Sequence, residues 1–152
     1  MSVAAIRRGA YGVGYEGQDV EGFVAGLVAA GAEVLVDVRL TPVSRKRGLS
    51  KRALAAAVEA AGVSYLHVPS LGNPKGNRAG FAGTADQLES ARDTFAGLVA
   101  DNPASQEALD ELAGLARQSR VAVMCFEADG QRCHRHVVLT ELERRMAPLA
   151  AL

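Results

Sequence analysis

Val34-Leu35-Val36-Asp37-Val38 is the stretch on which the fold turns. It is apolar throughout except at Asp37, as a central strand of a parallel sheet is when both its faces are covered. Upstream, Ala10-Tyr11-Gly12-Val13-Gly14-Tyr15 reads as a first strand ending in a Glu16-Gly17 turn. Asp19 is placed to cap a helix over residues 20 to 30, with Phe23, Leu27 and Val28 on one face and Gly31 as its stop. Downstream, a polar, basic loop runs from Leu40 to Leu49. Ser50 caps a helix whose Leu54, Ala57, Val58 and Ala61 repeat with helical period before Gly62. Val63 to Val68 is a third strand, stopped by Pro69.

A glycine-rich loop follows from Leu71 to Gly83, long enough to bind something instead of merely connecting. Thr84 opens a helix that runs to about Ala100. Asn102-Pro103 breaks it, and a second helix continues to about Arg117. Val121 to Phe126 is a fourth strand, and Arg132 to about Arg145 a terminal helix. The order β-α-β-α-β-α-α-β-α predicts an α/β protein. The expected architecture is a three-layer Rossmann-like or flavodoxin-like fold, with a mainly parallel sheet of four to five strands and helices on both faces.

The 152 residues are expected to form one domain, with residues 1–9 as a flexible N-terminal segment. Formal net charge is zero, so no global field draws the chain to nucleic acid or to a membrane. Arg7 and Arg8 interrupt the N-terminus, and no apolar run reaches the length of a spanning helix. Two cysteines without a disulfide-dense pattern fit a reducing compartment, so the expected location is cytoplasmic, with no membrane partner. The oligomeric state is not legible.

Chemistry-bearing residues gather at the predicted strand ends. Tyr15 and Glu16 end the first strand, Asp37 and Arg39 the second, His67 the third, and Cys125 and Glu127 the fourth. Carboxyl ends of parallel strands share one edge of the sheet, where such folds bind ligands. The turn Cys133-His134-Arg135 returns to the same edge, and Asn73 sits in the glycine-rich loop. One cleft is therefore expected, with Glu127 close to Cys133 or Asp37.

Each residue also has a plain structural reading. Asp37 would pair with Arg39 or with backbone amides, Glu16 would brace its own turn, and His67 would be a satisfied core histidine. Cys133, near a helix start and beside His134 and Arg135, is the candidate thiolate. Cys125 reads as a packing residue, and a reversible disulfide between the two is open. The segment Arg39 to Arg52 contains no acid and feeds a helix N-terminus, which suits a phosphate, a carboxylate or a nucleic-acid backbone.

Spacing excludes several familiar sites. A phosphatase-like loop needs five residues between cysteine and arginine; Arg132 lies one residue too far from Cys125, and Arg135 far too near Cys133. Rhodanese-like loops fail the same test. Cys125, Cys133, His134 and His136 match no compact zinc pattern, and adjacent Cys133 and His134 would strain a shared tetrahedral site, so no metal is expected. Gly12-Val13-Gly14-Tyr15-Glu16-Gly17 lacks the full dinucleotide fingerprint, and no cofactor is expected.

The blocks in their order resemble the domain of unknown function 488 family. They are Gly14-Tyr15-Glu16-Gly17; Asp37-Val38-Arg39 with Pro42 and Ser44-Arg45; Ser50-Lys51; Tyr65-Leu66-His67-Val68-Pro69 with Leu71-Gly72-Asn73-Pro74; Cys125-Phe126-Glu127; and Cys133-His134-Arg135. The resemblance covers most of the chain. It implies a small bacterial or archaeal α/β domain with a pocket at these residues and no settled activity.

The functional expectation is an enzyme. It would bind an anionic, phosphate-bearing small molecule through Arg39, Arg45, Lys51 and Arg135, with Tyr15, Glu16, His67, Asn73 and Cys125 lining the site. Cys133 would be nucleophile or redox thiol, and Glu127, His134 or Asp37 would handle protons. Two alternatives stand beside it. One is a non-catalytic nucleic-acid or nucleotide-binding module, of the kind used in DNA maintenance. The other is an interaction protein whose polar cluster is a structural ion-pair network.

Overall fold

The computed structural model describes residues 8–151. Residues 1–7 of the expected flexible segment lie outside the described residues, whereas Gly9 already belongs to the first strand. Four strands form one sheet: β1 (Gly9–Gly14), β2 (Val34–Asp37), β3 (Ser64–His67) and β4 (Arg120–Cys125). They are parallel throughout, in the order β1-β4-β2-β3. Five α-helices connect and flank them: α1 (Val20–Ala29), α2 (Lys51–Ala60), α3 (Ala85–Asp101), α4 (Pro103–Gln118) and α5 (Arg135–Ala151). The α/β class, the parallel sheet and the three layers are as the sequence predicts. No helix among the described residues is long and apolar enough to cross a membrane.

Local chemistry sets the helix starts. The Asp19 carboxylate accepts from the Gly22 amide at 2.8 Å, and Thr84 and Gln87 form a capping box at α3. The Asn102 side chain caps Ala104 N–H at α4, where Pro103 occupies the first turn and loses no hydrogen bond. Ser50 departs from expectation: its hydroxyl joins the Ser44 amide and carbonyl and caps nothing. Val28 is also corrected. Phe23 and Leu27 are buried, but Val28 is exposed on the outer side of α1. The last helix begins at Arg135, not Arg132, because Gly130–Arg132 forms a 3-10 turn that Asp129 caps through Gln131 N–H.

Strand alternation sorts the core into two layers. Val34, Val36, Val38, Val121, Val123 and Cys125 face α3, α4 and α5, packing with Phe95, Leu109, Leu112, Val138 and Leu142. Leu35, Ala122 and Met124 face α1 and α2, packing with Phe23, Leu27, Leu54 and Val58. Handedness explains the division. The crossovers β1 to β2 and β2 to β3 move the same way across the sheet and share a face, while β3 to β4 returns and uses the other. The chain leaves β4 on the face opposite to that taken after β1 and β2, its two neighbours. That reversal opens a crevice at the carboxyl end of β4.

Two glycines let backbone close around this crevice. A Cβ on Gly14 would collide with the Glu127 carbonyl, and one on Gly72 would lie 2.6 Å from Leu40 Cα. The turn after β4 therefore rests directly on the end of β1, with Glu16 N–H bonded to Phe126 O at 2.9 Å. Gly14→Ala should displace the Phe126–Glu127 turn and cost about 1–3 kcal/mol of stability, read from urea denaturation.

Candidate functional site

The crevice is a cleft of about 160 Å³ lined by Tyr15, Arg39, Leu40, Thr41, Val43, Asn73, Arg78, Phe81, Cys125, Phe126, Glu127, Cys133 and His134. One wall is built on a buried ion pair. Asp37 is fully buried and Arg39 nearly so. Arg39 Nε donates to Asp37 Oδ1 at 2.9 Å and Nη2 to Oδ2 at 2.8 Å, a bidentate pair. Arg39 N–H also donates to Oδ1, and the Tyr65 hydroxyl donates to Oδ2 at 2.5 Å. Arg39 Nη1 reaches the Leu49 carbonyl at 2.7 Å and the Tyr15 hydroxyl at 3.2 Å. Burial acts to lower the Arg39 pKa, but the bonds to Asp37 outweigh it and hold the guanidinium charged. Burial and the Asp37 bond together raise that of Tyr65.

The pair is heavily bonded. Asp37 has both oxygens engaged and does not line the cleft. Arg39 lines the cleft, with four of its five N–H donors bonded within the protein. Tyr15, which it holds, stacks edge-on against Phe126 at 5.3 Å between ring centroids and so sets the cleft mouth.

The floor is sulfur. Cys125 ends β4 and Cys133 precedes α5, and their sulfurs are in direct contact as a disulfide, with Cα atoms 7.3 Å apart. Both residues are buried. The Glu127 carboxylate lies 3.5 Å from Cys125 Sγ; the expected neighbours are Cys133 and Asp37, and its hydrogen-bond-range contact is to the other cysteine. His134 Nε2 is 2.8 Å from the Val38 carbonyl. A carbonyl only accepts, so Nε2 carries the proton and Nδ1 presents its lone pair, 3.7 Å from Cys133 Sγ. Burial, and the nearby Arg78 and Arg135, push the His134 pKa down to about 4, while the Val38 bond opposes them; the ring is neutral at neutral pH. Its face packs edge-on against Phe95 at 5.1 Å.

Arg135 lies beneath Cys125, only 2% exposed. Nη1 donates to Cys125 Sγ and Nη2 to the Ala128 carbonyl, each at 3.2 Å, while buried Nε has no partner. Among the described residues no carboxylate lies within ion-pair distance of it. Burial accordingly lowers its pKa, partly offset by the fields of Glu127 and Asp129.

Other expected site residues lie apart from the cleft. The Glu16 carboxylate accepts from Ala128 N–H at 3.0 Å, bracing the turn after β4. His67 Nε2 donates to the Arg39 carbonyl at 2.8 Å. Arg45 and Lys51 are exposed and outside the lining. Asn73 does line it, buried, with its side chain tied to Asn77. Sequence reading missed Tyr65, although its position two residues before His67 places both on the strand face that Asp37 shares through register. It also missed Arg78, whose side chain makes one hydrogen bond among the described residues, a 3.4 Å contact to the Asn73 carbonyl. Arg78 stands within the glycine-rich loop already singled out.

Removing one partner of the buried pair leaves an uncompensated charge. Asp37→Ala should cost about 3–5 kcal/mol in chemical denaturation. Tyr65→Phe, which removes one bond to a carboxylate, should cost about 1.5–3 kcal/mol.

A family model described as "Domain of unknown function DUF488" matches residues 19–142. No curated protein and no solved structure matches the chain. The matched span runs from the cap of α1 into α5 and takes in Asp37, Arg39, Asn73, Cys125, Glu127 and the Cys133-His134-Arg135 turn. Covering more than half of the chain and nearly all of the site, it shows that the protein belongs to the DUF488 family.

Proposed function

We propose that the protein is a thiol-dependent enzyme acting on an anionic small molecule, phosphate-bearing compounds included, in the strand-end cleft. The observation that carries this reading is the meeting of Cys125 and Cys133 on the cleft floor, between Arg135 on one side and neutral His134 on the other. In the reduced protein, neutral His134 Nδ1 accepts a hydrogen bond from the Cys133 thiol and orients it; the thiol loses its proton to solvent, and the thiolate attacks an electrophilic sulfur of the ligand. A bond forms from Cys133 Sγ to that sulfur, and the ligand's leaving thiolate departs. Cys125, held as thiolate by Arg135, then attacks Cys133 Sγ and releases the second half of the ligand. The ligand gains two electrons, the cysteine pair becomes the disulfide, and a thiol reductant restores it. A cleft this small takes the reacting end of a ligand, and Arg78 at its wall supplies positive charge with no carboxylate in ion-pair distance among the described residues.

Glutathione disulfide, small and anionic, is a suitable probe. The reduced protein should be oxidised by it at least tenfold faster than free cysteine is, and Cys125→Ser should trap a mixed disulfide on Cys133, seen as a mass increase. Arg78→Glu should slow this anionic probe about tenfold while leaving cationic cystamine unaffected or faster. A rate equal to that of free cysteine sinks the reading.

One observation favours a second reading. Arg45, Arg47, Lys51 and Arg52 are all exposed on an acid-free stretch, although Lys46 is spent on the Tyr15 and Gln18 carbonyls. As a nucleic-acid module the protein would retain binding in Cys133→Ser, with affinity falling steeply between 50 and 200 mM salt, by about tenfold or more. A filter-binding titration at the two salt concentrations decides it.

A further inference from the structure

We infer that the reduced form of this cluster binds one zinc-like divalent ion through Cys125 Sγ, Cys133 Sγ and His134 Nδ1, with the Glu127 carboxylate closing the fourth position. The three sulfur and nitrogen atoms lie within 4.8 Å of one another, all on buried residues. A tetrahedral zinc centre with Zn–S of about 2.3 Å and Zn–N or Zn–O of about 2.0 Å has mixed edges of about 3.5 Å and a sulfur–sulfur edge of about 3.8 Å. The distance from His134 Nδ1 to Cys133 Sγ is 3.7 Å, and that from Glu127 Oε2 to Cys125 Sγ is 3.5 Å. The first edge joins two atoms of the close group; Glu127 lies outside that group, so its carboxylate swings from Cys125 toward Cys133 and His134 to close the fourth position.

The backbone fits the same state. At 7.3 Å, the Cα atoms of the two cysteines stand beyond the roughly 4.4–6.8 Å that disulfides ordinarily span. Two-electron reduction by an external thiol or phosphine breaks the bond between the sulfurs and adds two protons. The thiols then part toward the spacing of metal ligands, and metal binding releases those protons. The outer shell is also present. His134 donates its remaining ring N–H to the Val38 carbonyl, which fixes the tautomer that a ligating Nδ1 needs. Arg135 donates to Cys125 Sγ from below. Charges balance: a divalent cation, two thiolates, a neutral imidazole and Glu127 sum to one negative charge, and buried Arg135 carries one positive charge with no carboxylate in ion-pair distance among the described residues. The adjacency of Cys133 and His134, which argued against a shared site in the sequence, is accommodated because the histidine turns its Nδ1 back toward the preceding sulfur.

This inference shares its residues with the proposed reaction and makes metal occupancy and thiol turnover mutually exclusive states of one site. The test titrates cobalt(II), then zinc, into phosphine-reduced full-length protein under inert gas. One equivalent of cobalt should give the intense visible bands of a tetrahedral ion and the near-ultraviolet charge transfer of two thiolate ligands, and one equivalent of zinc should bleach both. The disulfide form should give neither. Cys133→Ser and His134→Gln should weaken zinc binding at least 100-fold and Glu127→Gln about 10- to 100-fold, whereas His136→Gln, outside the cluster, should leave it unchanged. The wild-type spectrum counts thiolates without any variant, so an unfolded mutant does not blunt the test. An octahedral spectrum, less than a fifth of an equivalent bound, or binding that survives Cys133→Ser overturns the inference. Turnover of glutathione disulfide is measured separately in chelator: metal binding without turnover removes the catalytic reading alone, and turnover without metal binding removes this one alone.

Discussion

The buried pair between Asp37 and Arg39 is the interaction on which the functional edge of the sheet depends. A lone buried carboxylate or guanidinium would be prohibitively costly, so each exists in the core only because the other is there. Having been placed, the pair recruits its surroundings. Tyr15 from the end of β1, Tyr65 from β3 and the Leu49 carbonyl from the loop before α2 all bond to it, and the Arg39 backbone carbonyl holds His67. Three other chain segments thus converge on the pair. The pair costs desolvation and contributes position: it fixes where the strand ends stop and where the loops leave them.

A second constraint is close approach of backbone. The bare Cα of Gly14 admits the Phe126–Glu127 turn, and that of Gly72 admits Leu40, so two loops that would otherwise stand apart close over the carboxyl end of β4. The same turn carries Glu127 to Cys125, while the chain returning through the 3-10 turn Gly130–Arg132 delivers Cys133 and His134 from the opposite side. The thiols meet because β4 is central and its chain exits on the face away from its neighbours' connections.

Much of this was legible in sequence because it is local. Uninterrupted apolar runs gave the strands, Asp19, Thr84 and Asn102 with Pro103 gave the helix starts, and alternation of elements gave a parallel sheet whose strand ends collect the polar residues. What escaped is non-local. Strand order depends on which crossover skips a strand, and nothing in β4 itself says that it inserts between β1 and β2. In sequence Arg39 fits both a ligand-binding cation and a partner for Asp37, and only the bidentate geometry shows the pairing. Arg135 reads as a ligand-binding cation, yet with the helix starting only at Arg135, after the turn at Gly130–Arg132, it lies buried beneath Cys125. Arg78, in a loop without periodicity, acquires its place only when three consecutive 3-10 turns fold that loop against the cleft.

The contrast between the two buried arginines carries the chemistry further. Arg39 has a full carboxylate partner, and its charge is silent. Arg135 has a sulfur, a carbonyl and an unpartnered Nε, with the carboxylates of Glu127 and Asp129 acting only from a distance. A disulfide sulfur is neutral and answers that charge poorly, whereas a thiolate answers it directly. The protein scaffold is thus electrostatically matched to the form of Cys125 that bears negative charge, and any reaction or ligand that keeps that charge in place relieves the one buried cation the fold leaves without an ion-pair partner among the described residues. Oxidation to the disulfide removes the match. In the structure the sulfurs are joined, so Arg135 faces a neutral acceptor; a thiolate at Cys125 would give its guanidinium a charged partner.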